Sequence, residues 1–134
     1  MLDHISLGIV NLNRARKFYD LALKPLGISM VYPVPGYGFG YGVKKGEPTF
    51  WIGIPLAKRR KAKACAGSHI AFVAANRKAV DAFYVDAFYK VAIKAGGKDN
   101  GKPGLRPEYH ANYYGAFVYD PEGHAIEACC HNPE

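Results

Sequence analysis

Residues 3–10, DHISLGIV, alternate strictly, with His4, Ser6, Gly8 and Val10 on one side and Ile5, Leu7 and Ile9 on the other. A two-residue period with one apolar side is the pattern of a half-buried β-strand. The period then lengthens. Ala15, Phe18, Tyr19 and Ala22 recur at helical spacing, and Asn11 and Asn13 are both suited to cap the first turn. These features predict a helix through about Leu23, ended by Pro25 and Gly27. Three short strands follow near residues 28–33, 37–43 and 49–55, with turns at Pro35-Gly36 and at residues 44–48. The predicted order is β-α-β-β-β.

The same order returns. A strand at residues 68–75 leads into a helix from about Arg77 to Lys94, stopped by Gly96-Gly97. Residues 98–111 are rich in Gly, Pro and Lys and read as loop with a short strand nearby. Strands at 113–119 and 124–130 then flank the turn Asp120-Pro121-Glu122-Gly123. The two units are also copies in sequence. HISLGIVNLNRARKFYDLA and HIAFVAANRKAVDAFYVDA, offset by 65 residues, share His4/His69, Ile5/Ile70, Asn11/Asn76, Phe18/Phe83, Tyr19/Tyr84 and Ala22/Ala87. A repeat of this kind lets residues far apart in sequence take equivalent places around a pseudo-twofold axis.

Composition narrows the class. With 134 residues and 49% hydrophobic content the chain makes one compact domain or two very small fused units. Module one spans about residues 1–57, a linker about 58–66, and module two about 67–134. The cysteines Cys65, Cys129 and Cys130 are odd in number and two are adjacent, which argues against a disulfide framework and for a reducing cytoplasm. MLDHISLGIV lacks the pattern of a signal peptide, and no stretch has the roughly 18 apolar residues of a membrane span. A soluble cytoplasmic protein is expected. Much of the net charge of +7 lies in Lys58, Arg59, Arg60, Lys61 and Lys63. This run falls between the two copies with no interleaved aromatic. It reads as a solvated linker, with steering of an anionic substrate as the alternative and no nucleic-acid partner expected.

The segments DHISLGIVNLNRARKFYDLAL, GSHIAFVAA and YYGAFVYDPEGHAIEACCH give the whole chain a resemblance to the vicinal oxygen chelate proteins. These include glyoxalase I, the bleomycin- and fosfomycin-resistance proteins and the extradiol dioxygenases. The resemblance implies an α+β fold of two tandem βαβββ modules forming an open, curled mixed β-sheet barrel flanked by helices. It also implies a homodimer and a divalent metal ion. The family's ligand positions fall on His4, His69 and Glu127. The residues themselves suit that role. Both histidines share strand faces with small or modest side chains, and Glu127 stands on an apolar strand where a carboxylate needs a partner. Two imidazoles and a carboxylate form a facial triad suited to Fe, Mn, Ni or Zn. Whether the three converge in one chain or across an exchanged interface is open at this stage.

The chain departs from glyoxalase I at a fourth ligand. Where that enzyme has a carboxylate on the last strand of its first module, Phe50 or Trp51 stands here, depending on one residue of register. Authentic glyoxalase I activity is therefore not expected. The extradiol pattern is met by His110, Asp120, Pro121, Gly123 and Glu127, with Phe117 in place of its tyrosine and Tyr113 as a same-face substitute. His110 and Tyr113 are the candidate catalytic groups. Trp51, Tyr37, Phe39 and Tyr114 are the candidate substrate-binding residues. The expected function is a glyoxalase/dioxygenase-like, metal-dependent enzyme acting on a small oxygenated substrate. A non-catalytic ligand-binding protein of the bleomycin-resistance type is the alternative, and a purely structural partner protein is a third class.

Overall fold

The computed structural model describes residues 1–55, 63–87 and 99–133. The basic stretch Lys58 to Lys61, most of the linker, and the predicted helix end at Lys94 with its Gly96-Gly97 stop lie outside the described residues.

The first module runs β1 (Ile5–Gly8), α1 (Leu12–Ala22), a 3-10 turn (Lys24–Leu26), β2 (Ser29–Val34), β3 (Gly38–Gly42) and β4 (Phe50–Gly53). The second runs β5 (His69–Val73), α2 (Arg77–Tyr84), β6 (Asp99–Leu105), β7 (Tyr114–Tyr119) and β8 (Ala125–Cys130). Each module forms a four-stranded mixed sheet in the same order, β1-β4-β3-β2 and β5-β8-β7-β6. In each, the first strand pairs parallel with the last and the other pairings are antiparallel. Neither sheet closes into a barrel. The architecture is α+β, two tandem βαβββ modules.

The sequence repeat has a physical counterpart at four of its six shared positions. Asn11 and Asn76 each cap a helix, accepting from the backbone N–H of Arg14 at 3.0 Å and of Ala79 at 2.9 Å. Asn13 lies inside α1 rather than at its cap. Phe18, Tyr19 and Ala22 are buried, as are Phe83, Tyr84 and Ala87. They join Ile9, Tyr41, Phe50, Ile52, Val118 and Ile126 in one core that runs through both modules. Edge-to-face packing of Phe50 on Phe72, with centroids 5.1 Å apart, links the two sheets within that core.

The turn at residues 120–123 does more than reverse the chain. It closes with the Gly123 N–H donating to the Asp120 carbonyl at 2.9 Å, and Gly123 has φ +90°, which glycine adopts without strain. Its side chains dock on module one. Tyr19 donates to the buried Asp120 carboxylate at 2.7 Å. Glu122 accepts from Arg14 at 3.0 Å and from the Asn11 N–H at 3.2 Å. His124 Nε2 donates to the Gly8 carbonyl at 2.9 Å. These contacts hold β8 of one module beside the β1–α1 junction of the other.

Strand β6 is longer than the short strand expected in residues 98–111. Its composition is poor for a strand, and its pairing with β7 slips on both sides of Gly101. As an edge strand it tolerates Pro103, and β7 supplies the hydrogen bonds that local propensity would not secure.

Candidate functional site

Strand alternation sorts the side chains of each sheet into a core face and an open face. In module two, Ile126, Ala128 and Cys130 of β8 enter the core, and Ala125, Glu127 and Cys129 take the opposite face. Glu127 is 1% exposed, a carboxylate almost wholly removed from water. Its two oxygens have separate partners. Oε1 accepts the Tyr113 hydroxyl at 2.6 Å, and Oε2 lies 3.2 Å from His69 Nε2. Burial and the neighbouring Glu127 push the Tyr113 phenol well above its ordinary value, so it stays a donor. A side chain at position 115 would crowd this arrangement, since a Cβ there would lie 3.0 Å from Glu127 Oε1 and 3.2 Å from the Tyr113 ring.

Toward the rim the network continues. Tyr113 packs edge-on against Tyr109, His110 and His131 with centroids 5.0, 5.5 and 5.0 Å away. His110 Nε2 and His131 Nδ1 share a hydrogen bond at 2.6 Å. His131 Nε2 is 3.8 Å from Cys129 Sγ, whose thiol is pushed up by burial. His131 and Cys129 were missed in the sequence. Both follow Glu127 at steps of two, and that alternation was the available signal. Phe117, paired directly with Glu127 across β7 and β8, lies 6.3 Å from the His69 ring and lines an open cleft of about 560 Å³ with His69, Tyr109 and Asn100.

His4 is elsewhere. It is half-exposed, pairs with Asp3, and lines a different cleft of about 500 Å³ with Ser6, Tyr37 and Trp51. Among the described residues of one chain, no group of three or more His, Cys, Asp or Glu side chains is gathered to hold a metal ion. Within one chain, His69 stands beside Glu127 while His4 lines a different cleft.

The register also settles what stands opposite Glu127. Glu127 pairs with Ala71 across β5 and β8, and Trp51 pairs with Ser6 across β1 and β4. Ser6 and Ala71 are equivalent in the repeat, so Trp51, not Phe50, is the counterpart of Glu127. Phe50 is buried in the core, and the Trp51 indole lies along Gly40, within 3.1 Å of where a Cβ would be, and edge-on to Tyr32 at 5.8 Å.

Two of the aromatic candidates lie away from these clefts. Phe39 pairs with Ile52 on the core face, under the Arg16 guanidinium at 5.2 Å. Tyr114 pairs with the buried Cys130, donates to Asp81 of α2 at 2.8 Å, and stacks under Arg77. The reason is the pleat. Phe39 alternates with Gly38 and Gly40, and Tyr114 with Tyr113 and Gly115, so each turns toward the helices when its neighbours face the cleft.

The spacing of His69 and Glu127 is compatible with two ligands of one divalent ion. Two donors each about 2.1 Å from one ion are roughly 3.0–3.4 Å apart at angles between square and tetrahedral, and His69 Nε2 and Glu127 Oε2 are 3.2 Å apart. Tyr113 holds the other carboxylate oxygen, as outer-sphere partners of metal ligands do.

No family model and no curated protein matches the sequence. Solved structures do match. A glyoxalase/bleomycin resistance protein from Albidiferax ferrireducens superposes with TM-score 0.79 at 29% identity, over 95% of this chain and 96% of that one. A glyoxalase/bleomycin resistance protein/dioxygenase family enzyme from Burkholderia phytofirmans gives 0.66 at 18% identity, over 98% of each chain. A glyoxalase I mutant from Zea mays gives 0.67 at 22% identity, over 96% of this chain but 45% of the maize protein. With its duplicated βαβββ module the chain shares the fold of these structural neighbours, which are glyoxalase/bleomycin resistance/dioxygenase proteins of the vicinal oxygen chelate superfamily.

Proposed function

We propose that the protein is a divalent-metal-dependent enzyme acting on a small oxygenated substrate, with each site assembled between two copies of the chain. The observation that carries this reading is the buried Glu127 carboxylate, held by Tyr113 and turned to His69. A buried carboxylate is costly unless it is compensated. Here the compensation leaves one carboxylate oxygen beside the His69 imidazole, which itself lines a cleft. His4 of a second copy would complete the two-histidine, one-carboxylate set. The half-exposure of both histidine side chains, 50% and 53%, supports a site that is finished from outside the chain. A twofold dimer that set module one of each copy against module two of the other would make two such sites.

When bound, Fe, Mn, Ni or Zn in such a set supplies Lewis acidity toward adjacent substrate oxygens or, for Fe(II), activation of O₂. The chain's own residues have distinct tasks. Tyr113 keeps Glu127 oriented and its hydroxyl protonated. The His110–His131 pair, at the rim beside Tyr113, is placed to hold and pass a proton at His110 Nε2. Phe117 forms an apolar floor next to His69, and Trp51 and Tyr37 supply the aromatic wall of the opposing half-site. Authentic glyoxalase I isomerisation is not proposed, because Trp51 occupies the place where that enzyme has its carboxylate. The same residue supports a second reading, in which the joined clefts bind a flat ligand without catalysis. No helix among the described residues is long and apolar enough to cross a membrane, and three free cysteines are in keeping with the proposed cytoplasmic location.

Elemental analysis of the purified protein tests the first reading. It fails if no metal is present and Mn, Fe, Ni and Zn all leave the melting temperature unchanged. His4→Ala, His69→Ala and Glu127→Ala are each expected to abolish metal binding in a folded protein. Co-expressed His4→Ala and Glu127→Ala chains should recover one intact site per mixed dimer, which a site within one chain could not do.

A further inference from the structure

The strongest feature that this reading does not use is Arg106. It follows β6, and its guanidinium lies over the Phe117 ring with Cζ 5.7 Å from the centroid. Nη2 donates to the Lys102 carbonyl at 2.8 Å and Nη1 to the Leu105 carbonyl at 3.2 Å. The cation has a prepared bed. A Cβ at Gly104 would lie 3.0 Å from Nη1, and one at Gly101 would lie 3.7 Å from Nη2. Gly101 pairs with Phe117 and Phe117 with Glu127, so the three share the open face of the sheet in one row across β6, β7 and β8. The group is half-buried, and among the described residues no carboxylate pairs with it. A guanidinium has five N–H donors in a planar fork that matches a carboxylate. Two of them go to neutral carbonyls, and the other three meet no acceptor among the described residues.

We infer that Arg106, over the Phe117 ring at the edge of the cleft that Phe117 and His69 line, is an anion-recognition residue, and that the ligand is a small carboxylate whose other oxygens reach toward His69. Phe117 touches both ends of that span, with Arg106 over its ring and His69 at its edge. The bonds to Lys102 and Leu105 hold the fork before the ligand arrives, so little side-chain entropy remains to be lost on binding. The inference deepens the proposed function and rests on it for where the substrate's reacting oxygens sit.

The test uses metal-free, full-length protein and two probes of equal shape, 2-hydroxybenzoate and the uncharged 2-hydroxybenzamide, by titration calorimetry. The wild type should bind the carboxylate at least tenfold more tightly than the amide, with the difference shrinking as salt rises. Arg106→Gln should abolish that preference. Should the variant not fold, the wild type still decides the matter, because the Arg106 Nε–H resonance should shift with the carboxylate and not with the amide. Equal affinity of the two probes, binding of neither, a preference that survives Arg106→Gln, or an unmoved Arg106 resonance would each overturn the inference. The measurement needs no metal, so it stands apart from the metal reading. Loss of metal from His69→Ala with the carboxylate preference intact would support both, and absence of metal from the wild type with that preference intact would sink only the enzyme reading.

Discussion

Trp51 and Glu127 hold the same place in the two halves of the molecule, one pairing with Ser6 and the other with Ala71 in sheets of identical order. One half offers an indole and the other a carboxylate. If the halves of two copies share a site, Trp51→Glu places a fourth donor in it. Metal affinity, measured by competition with a chelator, should then rise at least tenfold, about 1.4 kcal/mol. An unchanged affinity would mean that the two half-sites do not meet.

Among the described residues Tyr113 is the hydrogen-bond donor to Glu127 Oε1. Tyr113→Phe keeps the ring packing and removes the hydroxyl. The cost to stability should be about 1–2 kcal/mol by urea unfolding, the scale for a hydrogen bond to a buried charge. Metal affinity should fall on the order of tenfold, as for other outer-sphere losses.

Two glycines separate fold from site. A Cβ at Gly40 would lie 2.6 Å from the Pro48 Cβ and 3.0 Å from the Trp51 ring. Gly40→Ala should destabilise the protein by about 1–3 kcal/mol through overpacking. A Cβ at Gly115 meets Glu127 Oε1 instead. Gly115→Ala should loosen metal binding more than it lowers the melting temperature, and the reverse order of effects would remove Gly115 from the site.

Asp120 ties the modules together and gives stability a pH dependence. Burial raises its carboxyl above the ordinary carboxylate value, outweighing the hydrogen bonds from Tyr19 and the backbone that lower it. Below the ordinary value both states hold the proton and the group is neutral to folding. As pH rises through the interval up to the raised value, the unfolded chain ionises first and the fold loses stability. Asp120→Asn, which keeps an acceptor for the Glu122 and His124 N–H groups, should lack this slope in urea titrations run upward from the ordinary carboxylate value. Tyr19→Phe should steepen it and cost about 1–3 kcal/mol, since the carboxylate loses its side-chain donor.

The chain's residue order alone determined the duplicated βαβββ plan, the helix caps at Asn11 and Asn76, the turn at residues 120–123 and the alternation that puts Glu127 opposite the core. Each depends on a few neighbouring residues, because capping, turn geometry and strand period are local. The choice between Phe50 and Trp51 was beyond it, since a one-residue slip exchanges the faces of a strand and only pairing with β1 sets that register. Arg106 was missed for a related reason. Its place over Phe117 depends on β6 pairing irregularly with β7 and on glycines at positions 101 and 104 that leave room for the guanidinium. The duplicated histidines suggested a shared site, but the tertiary structure set them in separate clefts, His69 beside Glu127 and His4 beside Trp51. Equivalent positions in a repeat fix where a residue lies within its own module. Which modules face each other is decided by the packing of the helices and by the contacts of Asp120, Glu122 and His124 on module one.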